Sequence, residues 1–101
     1  MMSDALEELQ RRAHDAALLL KAMANANRLL ILCTLVERQQ VSAGVLGQAC
    51  GLSPSATSQH LARMRSEGLV VAQREGTTMF YAIANHDLER IIMTLKDIYC
   101  P

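Results

Sequence analysis

Residues 50–70, CGLSPSATSQHLARMRSEGLV, decide the fold. Ser53-Pro54 has the form of a helix start, with serine as N-cap and proline at the first helical position. The run ATSQHLARMRSE then stops at Gly68. Upstream, VSAGVLGQACGLS holds a short helix that Ser42 opens and Gly51 closes, in the manner of a glycine past a helix end. Two helices joined by the turn C-G-L-S form a helix-turn-helix over about residues 42–67. Downstream, LVVAQRE and TMFYAIA are strand-like runs separated by Gly76-Thr77. They read as a hairpin, a wing at about residues 69–83.

Moving outward, Leu6, Leu9, Ala13, Ala17 and Leu20 recur at helical spacing, with Glu7, Glu8, Arg11, Arg12 and Asp15 on the other faces. This predicts an amphipathic helix at about residues 4–22. The segment MANAN interrupts it, and Asn25 or Asn27 suits the cap of the second helix. LLILCTLV is apolar nearly all round and reads as a central buried helix. At the other end Asn85 caps a helix over about residues 86–99, with Asp87 and Glu89 in its first turn. Its apolar residues Leu88, Ile91, Ile92, Leu95 and Ile98 keep i, i+3, i+4 spacing. The expectation is one winged helix-turn-helix domain over residues 1–101, mainly α with a small β-hairpin, in ααααββα order.

At 101 residues the chain can fill a single core. Half of it is hydrophobic, yet only Phe80, Tyr81 and Tyr99 are aromatic. So small a domain has little for the stripes of its outer helices to cover, which predicts a homodimer built on residues 4–22 and 86–99. No apolar stretch is long enough to span a membrane, and MMSDALEEL is acidic, unlike a signal peptide. A cytoplasmic protein is expected. Ten basic residues balance ten acidic ones, which argues against a histone-like role but allows a local basic face. Three cysteines in an intracellular chain suggest buried thiols, metal ligands or redox sensing, not a disulfide framework.

On the helix beginning at Pro54, Thr57, Leu61 and Met64 form one face, flanked by Ala56 and His60. The opposite face offers Ser55, Ser58, Gln59, Ala62 and Arg63. Small hydroxyls and an amide near a helix N-terminus can enter a major groove of double-stranded DNA, and Gln59 can bond adenine bidentately. Arg63 and Arg65 suit phosphates, and Arg74, beside the hairpin turn, suits a neighbouring groove or backbone. His60 reads equally as packing against the turn or as touching phosphate. Taken singly, each polar residue fits a solvated helix face. Together with the turn, the wing and the absence of Asp or Glu between Ser53 and Ser66, they read as a DNA-contacting surface. From Ser53 to Glu75 three arginines face two glutamates, so affinity should depend on two half-sites held by a dimer.

GLSPSATSQHLARMRSEGLV followed by QREGTTMFYAI resembles the ArsR/SmtB family of winged helix-turn-helix repressors, and the resemblance runs from KAMANANRLLIL to the end. It implies a homodimer that holds an operator when unliganded and leaves it when an inducer binds. It also implies a dimer interface made by the first and last helices.

Many members of that family sense metals. One of their sites is a Cys-x-Cys pair before the recognition helix, where this chain has only Cys50. Another places Asp and His early in the last helix with His and Glu some three turns on; here His86 and Asp87 are followed only by Asp97. A zinc site normally needs three or four ligands, so no metal or other cofactor is expected. Cys33 and Cys100, down to the closing LKDIYCP, instead resemble the thiol-based branch that senses persulfides, related reactive sulfur or oxidants. The resemblance implies that these two cysteines become bridged by a disulfide or polysulfide, which lowers DNA affinity. Alone, Cys33 reads as a small core hydrophobe. Cys50 reads as core packing or as a third redox partner. Rival readings are a metal-responsive repressor using thiols with His86 or His14, a dithiol oxidoreductase, and a winged helix that binds protein. The oxidoreductase would lack the usual Cys-x-x-Cys, so no enzyme is expected.

Overall fold

The computed structural model describes residues 4–100, which form five helices and a small antiparallel sheet. In chain order these are α1 (Asp4–Met23), α2 (Ala26–Arg38), β1 (Val41–Ser42), α3 (Ala43–Cys50), α4 (Pro54–Ser66), β2 (Val70–Glu75), β3 (Thr78–Ile83) and α5 (His86–Tyr99). Four of the helices start on a side chain that accepts an otherwise orphaned backbone N–H. Asn25 accepts from Arg28 at 3.1 Å, Ser42 from Val45 at 3.3 Å, Ser53 from Ala56 at 3.1 Å and Asn85 from Leu88 at 2.8 Å. Of the two asparagines in MANAN, Asn25 is therefore the cap.

The ends of α3 and α4 share one solution. Gly51 (φ 68°) and Gly68 (φ 79°) turn left-handed. The next amide in each case reaches back to the helix: Leu52 N–H donates to Gly47 O, and Leu69 N–H to Met64 O, both at 2.8 Å. This is the Schellman arrangement, and it satisfies carbonyls that the helix leaves open. At the hairpin, Glu75 pairs with Thr78 across the two residues Gly76-Thr77. Only Gly76 there has positive φ, the pattern of a type II′ turn, whose twist matches its strands.

One element is additional to the expected order. Val41 and Ser42 pair with Tyr81 and Phe80, so β1 makes a three-stranded sheet in the order β1-β3-β2. Two residues are too few for an alternating pattern to register. The chain reaches β1 through Gln39, at φ 71° and ψ −55°, while Gln40 N–H donates to Arg38 O at 2.9 Å. That is a γ-turn on a non-glycine residue, a sparsely populated conformation.

The core forms where α2, α3, α4 and α5 meet the sheet. Ile31, Leu32 and Leu35 of α2 are buried with Leu46, Leu61, Met64, Leu69, Val70, Leu88 and Ile92. Each such side chain contributes about 1.5–3 kcal/mol of transfer free energy. α2 is the central core helix expected of LLILCTLV, but it is not buried on every face: Leu30 is 50 % exposed.

α1 stands apart from this core. It meets α2 at 93° and buries only Ala22 and Met23 at its C-terminal end. Leu9, Leu18 and Leu20 remain exposed on it, as do Met93, Ile98 and Tyr99 on α5. Its polar side carries Glu8 between Arg11 and Arg12, whose guanidinium groups hold that carboxyl below the usual range. Among the described residues no single helix is long and apolar enough to cross a membrane.

Candidate nucleic-acid interface and thiol site

α4 divides cleanly into two faces. Thr57, Leu61 and Met64 are at most 1 % exposed and form its packing side, as their spacing predicts. The fit against α3 is close. A Cβ on Gly47 would lie 2.7 Å from Thr57 Oγ1 and 3.3 Å from Leu52 O, so only glycine fits without displacement. The Thr57 hydroxyl is itself satisfied, donating to Ser53 O at 2.8 Å. The need for glycine at position 47 has no local signal in the sequence, because its partner Thr57 lies across the turn and not beside it in the chain.

Ser55, Gln59, Ala62 and Ser66 follow one another at i, i+4, i+7 and i+11, and all are exposed. They make one outward stripe along α4. At 100° per residue, Ser58 and Arg65 flank it on one side and Arg63 on the other. His60 is half-buried and turned away from the stripe. Arg63 is not free: its Nε donates to Glu67 at 3.4 Å. Arg74 is exposed on β2 opposite Met79, one residue pair from the hairpin tip. Small side chains on the stripe with cations on its flanks allow close approach to a groove, with phosphates at its edges.

The second constellation lies where α2 packs on α5. Cys33, Cys50 and Cys100 are all free thiols; Cys100 is exposed and the other two are half-buried. Burial pushes the Cys33 thiol up, the nearby Lys96 ammonium opposes this, and Cys100, Cys50 and Glu37 add to the rise. Cys33 is thus within electrostatic reach of both other thiols. An ion pair links the two helices, Lys96 Nζ to Glu37 at 3.8 Å. Glu37 lies one turn after Cys33 on α2, and Lys96 one turn before Cys100 on α5. The i, i+4 spacing of each charge from a cysteine was readable, but not that the two charges meet. Cys50 approaches α2 beside Cys33, with its Sγ 3.8 Å from Thr34 Oγ1.

His86 and Asp87 open α5, and Asp97 lies near its end. Among the described residues no three His, Cys, Asp or Glu side chains gather as a metal site.

A helix-turn-helix followed by a two-stranded wing defines a class of DNA-binding proteins, and a family model for winged helix-turn-helix DNA-binding matches residues 25–71. The chain is 54 % identical to the HTH-type transcriptional regulator YgaV of Escherichia coli, over 95 % of this chain and 97 % of that protein. It is similar to HlyU of Vibrio cholerae, a transcriptional activator, at 42 % identity over 94 % and 87 % of the two chains. The structure of reduced HlyU superposes with a TM-score of 0.86, covering 94 % of this chain and 99 % of that one at 41 % identity. The repressor BigR of Xylella fastidiosa superposes with a TM-score of 0.87, covering 99 % of each chain at 32 % identity. The chain belongs to the winged helix-turn-helix transcriptional regulators of the ArsR/SmtB type, in the group that includes BigR and HlyU. These relatives are regulators, not enzymes.

Proposed function

We propose that this chain is a homodimeric repressor that reads an operator with α4 and releases it when Cys33 and Cys100 are joined by reactive sulfur or oxidants. The observation that carries the reading is an exposed thiol at the C-cap of α5 within electrostatic reach of a half-buried one on α2, the two helices being linked by Glu37 and Lys96. The similarity to a protein studied in a reduced form and to a repressor supports the same reading. Exposed Leu9, Leu18 and Leu20 on α1 and Met93, Ile98 and Tyr99 on α5 supply the surface for a second copy. The helix-turn-helix unit spans residues 42–67 and the wing 69–83. Ser55, Ser58 and Gln59 approach base edges, while Arg63, Arg65 and Arg74 hold backbone phosphates. His60 acts from the flank, through packing.

Cys100 is the entry point because it is accessible, whereas burial raises the Cys33 thiol and so lowers its thiolate fraction. The Cys100 thiolate attacks the terminal sulfur of a persulfide R–S–SH and expels R–S⁻, becoming a persulfide itself. The Cys33 thiolate then attacks Cys100 Sγ and expels HS⁻, leaving a disulfide. In sum two thiols and one R–S–SH give one disulfide, R–SH and H₂S: the protein is oxidised by two electrons and the persulfide reduced by two. If a second persulfide oxidises the Cys100 persulfide against Cys33 instead, the added sulfur stays as a trisulfide, with two R–SH and one H₂S released. Either bridge fixes the end of α5 against α2, and with it the dimer geometry that spaces the α4 helices.

The test uses a duplex that the reduced protein selects from a random-sequence pool. Glutathione persulfide should lower its affinity by about 5–150-fold, the usual range of allosteric coupling. Peptide mass spectrometry should find the Cys33–Cys100 bridge in the same samples. Cys33→Ser and Cys100→Ser should bind like the reduced wild type and fail to release. Loss of binding by either variant under reducing conditions would make that cysteine structural and sink the sensor reading.

A further inference from the structure

One buried charge has no part in the α4 surface or the thiol site. Arg28 sits in the first turn of α2, with a side chain only 13 % exposed. It reaches back across the corner between α1 and α2, where its Nη1 donates to Ala22 O at 2.8 Å. That carbonyl belongs to the last turn of α1, where carbonyls lack helical partners and the helix dipole favours a cation. The same nitrogen lies 3.7 Å from Glu67 Oε2. Glu67 caps the C-terminus of α4, and its other oxygen accepts from Arg63 at 3.4 Å. The Arg28 Nε is buried with no partner among the described residues, so the guanidinium is held in place at a cost.

Four groups therefore stand in series: the end of α1, Arg28, Glu67 and Arg63. Little else fixes α1, which buries only Ala22 and Met23 and meets α2 at 93°. A cleft of about 640 Å³ separates this part of α1 from α4, lined by Leu18, Lys21, Arg28, Arg63, Glu67 and Leu69 among others. Arg28 is the polar tie between the two helices beside it. One nitrogen, Nη1, meets both acceptors, and the planar, largely buried guanidinium holds it in place; a lysine ammonium on its flexible stem keeps the charge but is less well oriented.

We infer that Arg28 is a positioning residue that sets the angle of α4 relative to α1, and so the spacing of the two recognition helices in the dimer. It touches no DNA. Its effect on affinity passes through Glu67 and the backbone of α4. The inference rests on the proposed reading of DNA by α4.

The experiment is a double-mutant cycle on operator affinity with Arg28→Met, Glu67→Gln and the pair, using the selected duplex and the reduced full chain. Dimerisation is measured on the same samples by sedimentation. Arg28→Met should weaken binding on the order of tenfold while the dimer constant holds, and Glu67→Gln, which also frees Arg63 for phosphate, should weaken it by less. The double variant should be no weaker than Arg28→Met alone, because the two act in one chain of contacts. Arg28→Lys should recover part of the loss. Additive losses, unchanged affinity, or a loss that follows dimer dissociation would each overturn the inference. If Arg28→Met fails to fold, Glu67→Gln and Arg28→Lys still give the answer, since Glu67 is partly exposed and lysine keeps the charge. A wild-type chain with no salt-dependent duplex affinity would instead remove the DNA reading itself.

Discussion

The α3–α4 unit and the α2–α5 edge are built to different degrees of closure. The first has a serine cap at each helix start, a Schellman turn at each helix end, and a contact that only glycine fits. The second has one ion pair, a half-buried thiol and an exposed one, with Ile98 and Tyr99 turned outward. A reading head must present its side chains in one geometry, so every local choice agrees. A sensing edge must have two arrangements of similar free energy, and a sparsely tied helix end allows that. The comparison fits the proposed thiol bridge: a bridge at an already rigid place would change little.

The contrast is broken most severely at Gly47. Gly47→Ala forces α3 away from Thr57 and should cost about 1–3 kcal/mol, the usual penalty of overpacking. Gly44 lies in the same helix with nothing near its missing Cβ. Gly44→Ala should therefore stabilise the protein by about 0.4–1 kcal/mol, through helix propensity and loss of unfolded-state freedom. Thermal melts of the two variants are the check, and equal effects would mean that α3 is loosely packed after all. Next in size is the start of α4. Ser53→Ala removes the acceptor for Ala56 N–H and should cost about 1 kcal/mol in denaturant titrations.

These sites differ in how visible they were in the amino-acid order. Caps and glycine turns are local, so Ser42, Ser53, Asn85, Gly51 and Gly76 were readable from their neighbours, and Asn25 only as one of two choices. The faces of α4 were readable too, because a 3.6-residue period needs only a dozen residues. What stayed hidden depends on distant partners. Gly47 meets Thr57 across a turn, Arg28 meets Glu67 39 positions away, and β1 exists only because β3 lies beside it. The thiol site is intermediate: the cysteines drew attention by type and by resemblance, while the Glu37–Lys96 pair came only with the packing of α2 on α5. The γ-turn at Gln39 had no signal, since glutamine is a poor choice there. Gln39→Gly should relieve that strain and raise stability by up to about 1 kcal/mol in the same denaturant titrations, a gain that a fully relaxed turn would not yield.

The smallest stability effects belong at the α2–α5 edge, where thiol reactivity becomes the sharper probe. Burial raises the folded-state pKa of Cys33 above its unfolded value. The native state therefore keeps a proton that the unfolded chain loses. Its stabilising contribution is complete below the ordinary thiol range, about 8.5, and is lost as pH rises through the folded value. Stability should decline on the alkaline side by more in the wild type than in Cys33→Ser. Lys96 opposes the rise, so Lys96→Met should push Cys33 further up and slow its alkylation at neutral pH. The same substitution removes a pair whose Glu37 side is 72 % exposed, which should cost well under about 1 kcal/mol. Pseudo-first-order alkylation of Cys33, followed by peptide mass spectrometry across pH, separates the two consequences. A slower thiol in a protein of nearly unchanged stability would assign Lys96 to tuning the site. An unchanged rate with lost stability would make the pair a strut between α2 and α5 and nothing more.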